Sequence, residues 1–167
     1  APYHQFTQEL RLGGDFGDGL VNWTVGGYYF HSVGHVASRV WSAPVLNWIQ
    51  DDPVKSTSKS VFAQVELHPI PNLSLIGGIR YTDDKKSYKF VRLNPDTGAQ
   101  LNGGPDDLLG VGALNFIPPP TYAGHSFDYR LGIDYHFTDH LMVYANMSTG
   151  YKGGGVNPRP YVPDQIV

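Results

Sequence analysis

Phe127-Asp128-Tyr129-Arg130-Leu131-Gly132-Ile133-Asp134-Tyr135-His136 alternates apolar and polar side chains almost without a break. Successive side chains of a strand point to opposite faces. The stretch therefore reads as a ribbon with Phe127, Tyr129, Leu131, Ile133 and Tyr135 on one side. Asp128, Arg130, Asp134 and His136 oppose them. Five further segments repeat the pattern. Gln5 to Gly13 sets Phe6, Gln8, Leu10 and Leu12 against Thr7, Glu9 and Arg11. Leu20 to His31 puts Trp23, Val25, Gly27 and Tyr29 on one face. Ser58 to His68 separates Val61, Ala63, Val65 and Leu67 from Gln64, Glu66 and His68, with Phe62 out of phase. A segment from Leu73 sets Leu75, Gly77, Ile79 and Tyr81 against Ser74, Arg80 and Thr82. The last, Leu141 to about Tyr151, opposes Leu141, Val143, Ala145 and Met147 to Tyr144, Asn146 and Ser148, with Met142 out of phase. Each runs about 9–12 residues, the length a tilted strand needs to cross a bilayer. Strands of ordinary sheets average about 5–6.

The connections alternate in length. Phe16-Gly17-Asp18-Gly19, Pro69-Ile70-Pro71-Asn72 and Phe137-Thr138-Asp139-His140 have tight-turn chemistry. Ser32 to Thr57 and Asn94 to Gly124 read as long loops. Short turns on one side and long loops on the other predict an all-β, antiparallel, up-and-down transmembrane barrel segment of about six strands, open or partial. The turns are then periplasmic and both chain ends face the exterior. Asp83-Asp84-Lys85-Lys86 is too charged for lipid, so the fourth strand is expected to run past the membrane, with alternation resuming over Tyr88 to Arg92. Aromatics near the strand ends (Phe16, Tyr28 to Phe30, Tyr81, Phe127, Tyr129, Tyr135, Phe137) fit interfacial girdles.

Glu9, Arg11, Glu66, Arg80, Asp128, Arg130 and Asp134 fall on the polar faces. An arginine facing lipid at mid-bilayer costs about 2–4 kcal/mol, whereas a wet or plugged lumen lets such groups pair. They are therefore expected to face the lumen. Composition agrees. The 167 residues carry 12 Lys+Arg and 15 Asp+Glu, net −3, too balanced for phosphate neutralisation, so no nucleic-acid partner is expected. With no cysteine there is no disulfide framework or thiolate metal site. A mean hydropathy of −0.27 is what alternating strands produce. No run approaches the ~18 apolar residues of a transmembrane helix. Ala1-Pro2-Tyr3-His4 is not a signal peptide, so export implies a leader already removed or an internal fragment.

Several stretches resemble TonB-dependent receptors. They are Thr7-Gln8-Glu9-Leu10-Arg11-Leu12, Asn22-Trp23-Thr24-Val25-Gly26-Gly27-Tyr28-Tyr29-Phe30, Ser60-Val61-Phe62-Ala63-Gln64-Val65, Leu75 to Lys86, Leu131-Gly132-Ile133-Asp134-Tyr135 and Val143 to Asn157. The resemblance implies a 22-stranded plugged barrel in the outer membrane of a Gram-negative bacterium. It implies energy-coupled uptake of a scarce ligand such as a ferric siderophore, driven by the TonB complex through an N-terminal part. Residues 1–167 are then expected to be part of the barrel domain, without the plug. Partners would be outer-membrane lipid, TonB and the nutrient ligand.

Chemistry-bearing clusters are sparse. His31 and His35 lie in a predicted loop and His136 and His140 flank a turn, so no metal site is expected. Asp51-Asp52, Asp83-Asp84 and Asp106-Asp107 lack a calcium-loop pattern. No nucleophile elbow or triad spacing is present. No catalytic residue, cofactor or enzymatic activity is expected. Trp41, Trp48 and Tyr122, large aromatics in predicted loops, are the candidate ligand contacts. Two other readings fit the pattern: a small complete outer-membrane barrel serving as pore or structural protein, and a soluble β-barrel holding a small apolar ligand.

Overall fold

The computed structural model describes residues 3–42, 46–102, 107 and 110–157. Its long strands are β1 (His4–Phe16), β2 (Val21–Ser42), β3 (Leu46–Ile70), β4 (Leu73–Tyr88), β6 (Thr121–Thr138) and β7 (Leu141–Ser148), with a two-residue β5 (Arg92–Leu93) and a 3-10 helix, Val111–Phe116. They form one antiparallel sheet in the order β1-β2-β3-β4-β6-β7, and β5 pairs with β3. Chain neighbours are thus sheet neighbours, as an up-and-down wall requires. The sheet does not close: β1 and β7 remain its edges among the described residues.

All six predicted strands are present. Two predicted loops are not. Ser32 to Thr57 is not a loop: it continues the β2–β3 ladder, from Ser32↔Ser56 to Ser42↔Leu46. Asn94 to Gly124 is only partly irregular, because Thr121 to Gly124 pair with Lys85 to Ser87 and Asp84 as the start of β6. The reason is local. Above the apolar band the outer face no longer needs to be apolar, so the alternation disappears although main-chain pairing persists. Asp51-Asp52-Pro53, inside the predicted loop, is part of the ladder. Pro53 sits opposite His35 in the ladder, and its carbonyl accepts from Lys89 N at 3.0 Å.

The register sorts every side chain to one of two faces. The outer face carries Leu67, Val65, Ala63 and Val61 on β3, then Lys59, Thr57 and Lys55. On β4 it carries Leu73, Leu75, Gly77, Ile79 and Tyr81, then Asp83 and Lys85. Leu73 to Tyr81 is eight steps, roughly 27 Å along the strand and about 21 Å high at a tilt near 40°. That approximates the ~25 Å apolar belt of an outer-membrane barrel. Val61, Ile79, Leu131, Ile133, Val143 and Met147 of this band are exposed. Aromatics frame it. Phe16 stacks on Trp23 at 6.3 Å and Tyr135 meets Phe137 edge-on at 4.7 Å at the short-turn end. Tyr29, Tyr81 and Phe127 stand at the other end. Tyr28 and Phe30, expected in the girdle, fall instead on the inner face with Glu9 and Thr7.

The first turn is made by left-handed residues, Gly17 (φ 65), Asp18 (φ 53) and Gly19 (φ 89), with Leu20 N bonded to Gly17 O at 3.1 Å. Asp tolerates that region better than most non-glycine residues. Gly26 has a different purpose. The Phe62 ring lies across it, and a Cβ there would meet Phe62 Cζ at 2.4 Å and Leu10 O at 2.7 Å. Gly27 faces the other side, and a Cβ there would meet only Ser60 O, at 3.9 Å. We expect Gly26→Ala to lower the urea midpoint of the detergent-folded protein, by the equivalent of about 1–3 kcal/mol of stability, the usual cost of forcing a methyl into a packed site. Gly27→Ala should stay within about 0.5 kcal/mol. Equal midpoints for the two variants would show that the Phe62–Gly26 contact does not form.

Candidate functional site

The inner face places the predicted lumen residues in adjoining rows. Arg11, Gly26, Phe62, Arg80 and Asp128 form one row across five strands. Glu9, Tyr28, Ser60, Thr82 and Ser126 lie above it, and Arg130 lies below beside Gly78 and Ser148. Glu66 pairs with Asn22 and Ile76, and Asp134 with Ser74 and Tyr144. All seven predicted charged residues share this face. Arg11 Nε donates to Glu9 on the same strand and its guanidinium lies 5.7 Å from the Phe62 ring centre. Arg80 stands 5.7 Å over the Tyr28 ring, and Asp128 accepts from Ser126 Oγ at 3.2 Å. Phe62, Gln64, Arg80, Asp128, Arg130 and Ser148 border a concavity of about 320 Å³. It presents guanidinium donors and carboxylate acceptors side by side, which suits a polar surface packed against it.

At the external end the inner face is capped. Residues 88–117 fold back on the β2–β3 hairpin and bury Tyr88, Phe90 and Leu114 in one cluster and Trp48, Leu101 and Val111 in another. Between them sits a charge pair, Arg92 at 1% exposure and Asp52 at 0%. Arg92 Nη1 donates to Asp52 Oδ1 at 2.6 Å. Val91 N donates to the same oxygen at 2.7 Å, while Tyr88 OH and Gln50 Nε2 donate to Oδ2 at 2.9 and 2.8 Å. Four donors thus replace the water that a buried carboxylate loses, the condition for such a pair to be tolerable. Asn115 ties the cap together by donating to the carbonyls of Arg92 and Leu101 and accepting from Arg92 N. Burial, with the Asp52 carboxylate beside it, pushes the Tyr88 hydroxyl well above the ordinary phenol range.

The three aromatic candidates separate. Trp48 is not an exposed loop residue: it lies in β3 at 5% exposure against Leu101 and Val111. The fold-back of the 88–117 segment covers it, and no signal in its own neighbourhood announces this. Trp41 is in β2, exposed at 67%, on the outer face. Tyr122 is on the inner face of β6, its hydroxyl 2.7 Å from Tyr151 OH. The shared hydrogen bond lowers Tyr122 and raises Tyr151 to about 12. The chain after β7 crosses the inner face here, with Lys86 Nζ donating to Gly154 O at 2.9 Å and Val156 packed on the Phe90 cluster. Asp52, Arg92 and Asn115 were not singled out in the sequence. No three-residue group of metal-binding type occurs among the described residues, and Asp106 lies outside them.

A tall apolar outer band, a charged inner wall and a capped external end match one family. The model described as TonB dependent receptor-like, beta-barrel, matches residues 2–164. This chain belongs to the TonB-dependent receptor β-barrel family. Among solved structures, the ferric yersiniabactin uptake receptor FyuA from Yersinia pestis matches with a TM-score of 0.66 and 21% identity over 95% of this chain. That likeness speaks for the fold. The chain spans 22% of the length of that receptor chain. Members of the family are outer-membrane transporters rather than enzymes.

The cap makes a direct prediction. Asp52→Ala strands Arg92 in a buried site and should cost about 3–5 kcal/mol locally. Limited proteolysis should then cut the turn at residues 94–100 at a pH where the parent protein resists. Because the Tyr88 value is raised on folding, its contribution is complete below about pH 10 and is lost as pH climbs past that value. Protection of the same turn should therefore fall in alkali in the parent and change less with pH in Tyr88→Phe. Unaltered cleavage of Asp52→Ala would refute the buried-pair account.

Proposed function

We propose that this chain forms part of the wall of an outer-membrane receptor that takes up a scarce ligand such as a ferric siderophore, with TonB supplying the energy. The observation that carries the reading is the split of one continuous sheet into an apolar outer band of bilayer height and an inner face holding Glu9, Arg11, Glu66, Arg80, Asp128, Arg130 and Asp134. In this reading residues 1–167 are barrel, and a plug from elsewhere in the receptor packs against the inner concavity. Arg80, Asp128 and Arg130 hydrogen-bond it rather than catalyse anything. The outer membrane is its location, and lipid, TonB and the nutrient are its partners. Of the aromatic candidates, Tyr122 keeps a role at the ligand path, since it lies on the inner face near the external end. Trp48 supports the cap beneath the ligand loops, and Trp41 stands on the outward surface of the external hairpin.

Uptake of radioiron-loaded ferric yersiniabactin, and of a catecholate and a hydroxamate complex beside it, tests this in cells with and without the gene and with and without TonB. We expect at least one complex to enter only when both are present. Entry independent of TonB would point to a passive pore instead.

Orientation is tested separately. The chain has no cysteine, so single substitutions give clean labelling sites. Asp96→Cys, in the capped external loop, should react with an impermeant maleimide on intact cells. Asp18→Cys, in the first tight turn, should react only after the outer membrane is opened. The reverse pattern would invert the barrel.

A further inference from the structure

Two phenol oxygens meet on the inner face above the apolar band. Tyr122 OH and Tyr151 OH stand 2.7 Å apart, brought together from positions 29 residues apart in the chain. Gly124 makes room for them: a Cβ there would collide with both hydroxyls. Asp84 lies directly opposite Gly124 in the β4–β6 ladder, where paired Cβ positions are roughly 4.5–5.5 Å apart. Gly153 passes between the carboxylate and the Tyr151 ring. A Cβ on it would stand 3.0 Å from Asp84 Oδ2 and 3.6 Å from Tyr151 Cε1. Asp84, Tyr122 and Tyr151 are half-buried, and Asp84 is in no ion pair among the described residues. The hydrogen bond shared with Tyr151, then one with the Gly154 backbone, hold Tyr122 below the ordinary phenol range. Lys86 Nζ, 6.0 Å from the Tyr122 ring centre, adds a positive charge beside it.

We infer that Tyr122, Tyr151 and Asp84 form a site for a hard trivalent cation, the ferric ion delivered as a weak chelate. The histidines, aspartates and glutamates by themselves make no group of metal-binding type among the described residues, but phenolates are hard oxygen donors too. Adjacent corners of an octahedron with bonds of about 2.0 Å stand about 2.8 Å apart. The two hydroxyls already have nearly that spacing, so they can serve as neighbouring ligands with little movement. Binding must displace both phenol protons, and Tyr151 is raised to about 12. A trivalent ion is acidic enough to do so, whereas calcium or magnesium is not. Two phenolates and one carboxylate balance the charge of a ferric ion. Lys86 then leaves the site net positive, which favours an anionic chelator or hydroxide at the open corners. The inference rests on the uptake reading only for its cargo: the receptor would hold the ion directly at the inner mouth, and not through its chelator alone.

The test uses the whole receptor purified in an uncharged detergent and titrated with ferric nitrilotriacetate, with calcium and magnesium as comparison ions. Ferric ion on phenolate gives a visible charge-transfer band that neither the protein nor the chelate shows alone. We expect that band in the parent protein, undiminished by calcium or magnesium. Tyr122→Phe and Tyr151→Phe should each remove most of it and weaken ferric binding about a hundredfold or more, and Asp84→Asn should weaken it about tenfold or more with the band kept. Tyr88→Phe, whose ring lies in the cap, should bind as the parent does. Affinity should rise with pH, because protons leave as the ion enters. Gallium nitrilotriacetate needs no variant: it should convert two phenols to phenolate in the ultraviolet spectrum of the parent. An absent band, a full band in Tyr122→Phe, equal binding of calcium, or no phenolate with gallium would each overturn the inference. Siderophore uptake is measured alongside. Normal uptake without ferric binding removes only this site, and binding without uptake keeps the site and removes the uptake reading.

Discussion

A backbone that crosses hydrocarbon must hydrogen-bond all its N–H and C=O groups within the protein, because lipid offers no replacement. The antiparallel ladder meets that demand strand by strand here. β2, β3, β4 and β6 have partners on both sides over the apolar band, and the turns between them are short enough not to break it. Once the ladder is fixed, the period of two does the rest. A single register places the Leu, Val and Ile of the band, Ile76 excepted, on one side and every charged group of the band on the other. A slip by one residue would turn Arg80 and Asp128 into lipid, so the pairing is strongly specified. The edges at β1 and β7 show the same demand unmet: strands elsewhere in the receptor would have to complete them.

Two kinds of stabilisation divide the molecule at the height of Lys59 and Asp83. Below that level the sheet is a single layer without a packed core, its apolar side chains left to the surroundings. Above it the outer surface turns polar and the chain builds a core of ordinary soluble type, with Tyr88, Phe90, Trp48, Leu101, Val111 and Leu114 excluded from solvent. The Asp52–Arg92 pair belongs to this upper part. A buried ion pair adds little net stability compared with an apolar replacement, but it is unforgiving of misplacement. The four donors to Asp52 fix where the cap sits on the inner face. A purely apolar contact would tolerate sliding, whereas this pair does not.

The inner wall and the cap therefore serve different ends. Arg11, Arg80, Asp128 and Arg130 make a broad, wettable surface suited to a packed but movable neighbour. The β2–β3 hairpin is paired as far as Ser42 and Leu46 and carries the cap on its inner face. The aromatic pair Tyr122–Tyr151 and the Lys86–Gly154 bond join the two levels, because the chain leaving β7 passes between them.

The sequence by itself determined the strands and their faces. Phe127 to His136 or Leu75 to Thr82 can be read without coordinates, since a membrane on one side and water on the other force strict alternation. It also determined which charges share one face of the sheet, as Glu9, Arg11, Glu66, Arg80, Asp128, Arg130 and Asp134 all do. It did not determine the external half. There the outer face of residues 32–57 is largely polar and the inner face is covered by a distant part of the chain, so apolar alternation is lost and a paired hairpin looks like a loop. Asp52, Arg92 and Asn115 are far apart in the chain and meet only after residues 88–117 fold back. The burial of Trp48 follows from that same fold-back. Local periodicity records which side of a strand meets lipid; long-range packing decides what lies on top of it.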